Sequence, residues 1–137
     1  MKFIMTSKVY YEGNLRTKCV HLKSGDEIIT DAPLDNSGKG EAFSPTDTVA
    51  TALASCMITV MAIKAEQLGV SFVNVSADVK KIMSVNPRRI SKISILISLP
   101  INLSKENKEI LENIGNSCPV HNSLDPKLVR DIKYNWI

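Results

Sequence analysis

Ser44-Pro45-Thr46-Asp47-Thr48-Val49-Ala50-Thr51-Ala52-Leu53-Ala54-Ser55-Cys56-Met57 is the stretch that decides how this 137-residue chain folds. Ser44 suits an N-cap, where its hydroxyl accepts the Asp47 amide. Pro45 fits the first helical position, and Asp47 lies at the positive end of the helix dipole. Apolar residues then recur at Val49, Leu53, Cys56, Val60 and Ile63, the spacing of one helical face. Gly69 supplies a stop. Ala50, Ala52, Ala54 and Ala62 occupy the other faces, so the helix is apolar nearly all round and calls for protein on more than one side. One small sheet would cover only part of it, which predicts a second subunit. From Thr48 to Ile63 sixteen positions carry no charge. A bilayer core needs ~20 apolar residues, and this run is rich in Ala, Ser and Thr. The reading is therefore a buried helix and no membrane span.

Upstream, short strands alternate with turns. Lys8–Tyr11 leads to a turn at Glu12-Gly13-Asn14, then Leu15–Lys23, a turn at Ser24-Gly25-Asp26, and Glu27–Thr30, a meander of hairpins. A long loop with Pro33, Asn36, Ser37, Gly38 and Gly40 follows between Asp31 and Phe43, and loops of that length often border functional sites. Downstream, Val70–Met83 and Ser91–Ile101 alternate as strands around a turn at Asn86-Pro87-Arg88-Arg89. Ser104 caps a second helix with Ile110, Leu111 and Ile114 inward. A short turn runs from Cys118-Pro119 to about Leu124, and Leu128–Ile137 closes as a strand. The order β-β-β-α-β-β-α-β predicts one α+β domain over residues 1–137, with helices packed on antiparallel sheets.

Composition narrows the function. With 17 Lys and Arg against 14 Asp and Glu the net charge is +3. The basic residues are dispersed, with no run longer than Lys80-Lys81 or Arg88-Arg89, so a nucleic-acid partner is not expected. The N-terminus, Met1–Lys8, lacks the apolar core and cleavage site of a secretory signal, so a cytoplasmic protein with reduced thiols is expected. The three cysteines, at 19, 56 and 118, form no C-x-x-C unit and no Cys/His cluster with metal-ligand spacing. No metal or other cofactor is expected, and any disulfide would be transient.

Each cysteine has an inert and a reactive reading. Cys56, ten residues into the helix, suits plain packing, since a free thiol behaves as a small hydrophobe. Cys118 precedes Pro119 and so falls at or beside an N-cap, where a helix terminus stabilises a thiolate and depresses its pKa. His121 could assist it or serve only as a surface or capping residue. Cys19 shares a strand face with Leu15, Thr17 and His21 and reads as core or edge packing. Spacing alone does not bring Cys56 and Cys118 together.

The run Ser44–Met57, followed far downstream by Cys118-Pro119-Val120-His121-Asn122-Ser123-Leu124, resembles the OsmC/Ohr family of osmotically inducible and organic hydroperoxide resistance proteins. The resemblance covers nearly the whole chain and lies closest to the broader OsmC-like branch. It implies an intertwined homodimer with the long helices at its core and active sites at the subunit interface. It also implies a thiol peroxidase in which Cys56 attacks the peroxide and becomes a sulfenic acid. Cys118 then condenses with it to a disulfide, and an external dithiol reductant restores both. The family arginine that lowers the peroxidatic pKa and orients the peroxide matches Arg16, the only arginine before Arg88. Hydroperoxide-resistance members carry a glutamate ten residues before the first cysteine. Here that position is Thr46, which leaves Asp47 or Glu41 as substitutes. Two rival functions remain at this point: a binding module for a small apolar ligand with incidental cysteines, and a cysteine hydrolase using Cys118 and His121.

Overall fold

The computed structural model describes residues 5–137; the first four residues of the N-terminal reading lie outside them. Two compact units divide the chain after Thr48.

The first unit is an antiparallel meander. Strands β1 (Ser7–Gly13), β2 (Arg16–His21) and β3 (Glu27–Asp31) lie in sequence order. The β1–β2 turn takes three successive residues to positive φ, at Gly13, Asn14 and Leu15. Thr17 and Thr30 face each other across β2–β3 and join their hydroxyls, and Arg16 faces Asp31 one step along. The loop after β3 is ordered by its backbone. Asp31 donates its amide to the Phe43 carbonyl, Gly38 to Pro33, and Gly40 to Ala32. A Cβ at residue 38 would lie 1.7 Å from the Ala32 carbonyl oxygen, so only glycine fits there. Much of the sheet's apolar surface is open, with Val9, Tyr11 and Ile28 all more than half exposed.

Helix α1 (Pro45–Gln67) opens as its sequence predicts: the Ser44 hydroxyl accepts the Asp47 amide at 3.1 Å, and the Asp47 carboxylate accepts the Ser44 amide at 2.9 Å. It closes on Gly69 in the left-handed region. The Val70 amide reaches the Ala65 carbonyl and the Gly69 amide the Glu66 carbonyl, the paired bonds of a Schellman ending. At 23 residues α1 is longer than its uncharged run, and by length and composition alone it could cross a membrane. Its buried stripe is Ala50, Leu53, Ala54, Met57, Met61 and Ala65. The expected face was turned relative to this. Leu53 is on the stripe, Cys56 and Val60 flank it half-buried, and Val49 and Ile63 are exposed. In a helix apolar on every side, periodicity does not choose the inward face.

The second unit packs that stripe on a mixed sheet, β4 (Ser76–Ser84), β5 (Arg89–Leu99) and β6 (Val129–Trp136). The stretch 70–75 expected to begin β4 is not strand, and Asn74 there sits at φ 57. Strand β4 runs antiparallel to β5, but β6 is parallel to it, which corrects the expectation of antiparallel sheets throughout. The cause is the connection: helices α2 (Lys105–Gly115) and α3 (Pro119–Ser123) lie between β5 and β6 and form a crossover long enough for parallel pairing. Ile93, Ile95, Ile97 and Leu99 of β5 are buried in one core with Leu53, Met57 and Met61 of α1 and Leu111 of α2.

Candidate functional site

Cys56 and Cys118 come together within the second unit. Cys118 is the N-cap of α3, with extended backbone and Pro119 at the first helical position, as the Cys-Pro pair predicts. Its sulfur accepts the His121 amide at 3.4 Å and is only 1 % exposed. The Cys56 thiol, half-buried on α1, lies close enough to the Cys118 thiol to act on its proton. All three cysteines are free thiols. Residues 62 positions apart are thus set side by side by a helix and a crossover turn that share one core.

The electrostatics of Cys118 run opposite to expectation. Burial pushes its pKa above the ordinary thiol value of 9.0, and the neighbouring Cys56 thiol pushes the same way, while the His121 and Val120 amides oppose them. The two amides at the start of a five-residue helix are outweighed by desolvation. Cys118 is therefore a protonated thiol at neutral pH.

Three residues crowd this corner of the core. Gly115 ends α2, and a Cβ there would meet the Tyr134 hydroxyl at 2.7 Å and the Met61 sulfur at 2.9 Å. Burial pushes the Tyr134 phenol well above its usual range, and the negative forms of Glu112 and Cys118 push it further. Tyr134 and Met61 were missed by sequence reading. Alternation along β6 does place Tyr134 on the core face with Ile132 and Trp136, but nothing in the sequence ties that face to Cys118.

His121 serves Cys118 through its amide, and its carbonyl accepts Arg130. Cys19 lies half-buried on β2 in the first unit, opposite Ile28, with Thr17 Oγ1 at 3.9 Å from its sulfur. Arg16 opens β2 in the same unit, opposite Asp31. The Arg16 Nε is buried without a hydrogen-bond partner, and so is Asp31 Oδ1, while Asp31 Oδ2 accepts the Glu41 amide at 3.0 Å. Asp31, 1 % exposed, is the buried carboxylate that faces Arg16 across the strands. Sequence reading passed over it because its role follows from the β2–β3 register. Asp47 is engaged at the helix cap, the Glu41 residue is exposed, and the Thr46 hydroxyl pairs with that of Ser44 at 3.2 Å. No group of three or more His, Cys, Asp or Glu among the described residues could hold a metal ion.

Two sheets with a long helix, and a helix cysteine set beside a second one at a Cys-Pro turn, place the chain in a mixed helix-and-sheet class. The chain belongs to the OsmC-like protein family, whose model matches residues 38–133. A crystal structure from Psychrobacter arcticus 273-4, named for a proposed osmotic stress induced and detoxification response role, is 45% identical over 98% of each chain with a TM-score of 0.94. An organic hydroperoxide resistance protein OsmC from Legionella pneumophila shares the fold at 16% identity and TM-score 0.75, covering 98% of this chain and 99% of its own. An OsmC-like protein from Mycoplasma pneumoniae does so at 17% and 0.77, covering 100% and 98% respectively. None of the curated proteins matches the chain.

Proposed function

We propose that the chain is a thiol peroxidase working through Cys56 and Cys118. The observation that carries this reading is the closeness of the two thiols, one half-buried and one sealed from solvent, with Cys56 near enough to shift the Cys118 pKa. Structural neighbours named as organic hydroperoxide resistance proteins support a role in handling peroxides. In the first step the Cys56 thiolate attacks one peroxide oxygen. The O–O bond breaks, Cys56 takes the OH as a sulfenic acid, and the departing alkoxide takes up the proton the Cys56 thiol had released and leaves as the alcohol. In the second, the Cys118 sulfur attacks the Cys56 sulfur, its thiol proton joins the departing hydroxide as water, and the disulfide forms. An external dithiol returns both thiols by exchange.

The assignment of roles follows exposure. Cys56 has the access a peroxide needs, and Cys118 is kept protonated and dry until a sulfenic acid appears beside it. Arg16 is the cation proposed to favour the Cys56 thiolate, and Asp31 is the buried carboxylate opposite it across the strands. Asp47 and Glu41 then keep their local tasks in the cap and the loop. The open apolar surface of α1 at Val49 and Ile63, and of the meander at Val9, Tyr11 and Ile28, is proposed to be covered by a second copy. A reduced, cytoplasmic setting fits a dithiol-driven cycle.

The test is turnover. Reduced protein with excess dithiothreitol should consume cumene hydroperoxide catalytically and Cys56→Ser should abolish this, while Cys118→Ser without reductant should consume one equivalent and stop at the sulfenic acid. Equal turnover by wild type and Cys56→Ser would remove the proposal.

A further inference from the structure

Strand β6 holds the Cys118 turn from both sides. Before the cysteine, the Tyr134 hydroxyl donates to Asn116 Oδ1 at 2.7 Å, with the Glu112 carbonyl at 3.3 Å as a second acceptor. Trp136 Nε1 donates to the Glu112 carboxylate at 3.0 Å, which ties the same end of α2. After it, the Arg130 guanidinium spans two carbonyls, donating from Nη2 to His121 at 3.1 Å and from Nη1 to Leu128 at 3.0 Å. Arg130 thereby holds the residue whose amide bonds the Cys118 sulfur. The two tethers bracket Cys118, reaching Asn116 two residues before it and His121 three residues after it. Gly115 permits the first of them, since any side chain there would strike the tyrosine hydroxyl.

An uncharged side chain would do for mere packing at these positions. Arg130 instead brings a half-buried guanidinium whose Nε is buried without a hydrogen-bond partner, a cost that its two carbonyl bonds offset only in part. Tyr134 likewise holds a phenol proton in a place that disfavours its loss. Both side chains serve one local outcome, a Cys-Pro turn with little freedom to move.

We infer that Tyr134 and Arg130 are positioning residues that clamp the Cys118 turn and so set the effective concentration of the Cys118 thiol at Cys56. The inference rests on the two-cysteine reading above. Its chemical consequence is a choice at the Cys56 sulfenic acid. Attack by Cys118 yields the disulfide and water, whereas a second peroxide yields sulfinic acid and alcohol. The first path is intramolecular, so its rate follows how well Cys118 is held. A loosened turn shifts the product toward the sulfinic acid.

Two readouts test this with Tyr134→Phe, Asn116→Ala, their double variant, and Arg130→Met. Equilibration in glutathione buffer gives the effective concentration of the two thiols without any peroxide. Each single variant should lower it by about 3- to 10-fold, the worth of one hydrogen bond. The double variant should match Tyr134→Phe, because Asn116→Ala removes only one of the two acceptors that the phenol loses altogether. Pulses of cumene hydroperoxide should then raise the ratio of Cys56 sulfinic acid to disulfide by a similar factor. The rate of sulfenate formation in a Cys118→Ser background should stay unchanged. If Arg130→Met fails to fold, Tyr134→Phe decides alone. Unchanged effective concentration in folded Tyr134→Phe, or additive effects of Tyr134→Phe and Asn116→Ala, would overturn the clamp. A wild-type disulfide that forms in glutathione but never with peroxide would instead remove the peroxidase reading and leave the clamp standing.

Discussion

Gly115→Ala should destabilise the protein, and most of that cost should vanish when Tyr134 is phenylalanine. The added methyl would lie 2.7 Å from the Tyr134 hydroxyl and 2.9 Å from the Met61 sulfur. Overpacking of this kind costs about 1–3 kcal/mol. Replacing a helical glycine by alanine returns up to about 1 kcal/mol, and less at a last turn such as this one. The balance predicts a net loss of about 1 kcal/mol or more in the wild-type background. Tyr134→Phe removes the nearest obstructing atom, and Met61 can bend away because its thioether is flexible. Gly115→Ala should then be close to neutral. The assay is a double-mutant cycle by urea unfolding at one protein concentration. A coupling of about 1 kcal/mol between the two sites is expected. Coupling within about 0.3 kcal/mol of zero would mean that the two substitutions act independently and that residue 115 does not bear on the tyrosine.

Leu53→Ala, at a fully buried position in the core of the second unit, should cost about 2–5 kcal/mol in the same unfolding assay. The raised pKa of Cys118 has a sign. The folded chain holds this proton more tightly than the unfolded one, so stability should fall as pH climbs past the ordinary thiol value of 9.0, and Cys118→Ser should flatten that slope. The same shift predicts that Cys118 in the reduced protein resists iodoacetamide at pH 8, while Cys56 is alkylated readily. On the role proposed for Arg16, Arg16→Met should slow sulfenate formation about tenfold, read as the single-turnover rate of the first step.

The start and stop of α1 were legible because they are local: a Ser-Pro-x-Asp cap and a Gly69 ending each depend on a few adjacent residues. The Cys-Pro turn was legible for the same reason. Its electrostatics were not, because the pKa of Cys118 is set by burial and by Cys56, both products of the tertiary fold. The parallel direction of β6 was likewise hidden, since it follows from where a two-helix connection returns the chain. Asp31 escaped notice because its place opposite Arg16 depends on strand register. The inward stripe of α1 could not be chosen from a helix with alanine and methyl-bearing residues on every face, and it fell on the residues that meet the β5 isoleucines.

The central claim is that peroxide joins Cys56 to Cys118. Reduced protein should be treated with cumene hydroperoxide and, separately, hydrogen peroxide, quenched with an alkylating agent, and digested for mass spectrometric mapping. The account predicts a rapid Cys56–Cys118 disulfide that a dithiol reverses, with Cys19 left reduced. Both thiols remaining reduced while a model thiol is consumed under the same conditions would contradict it.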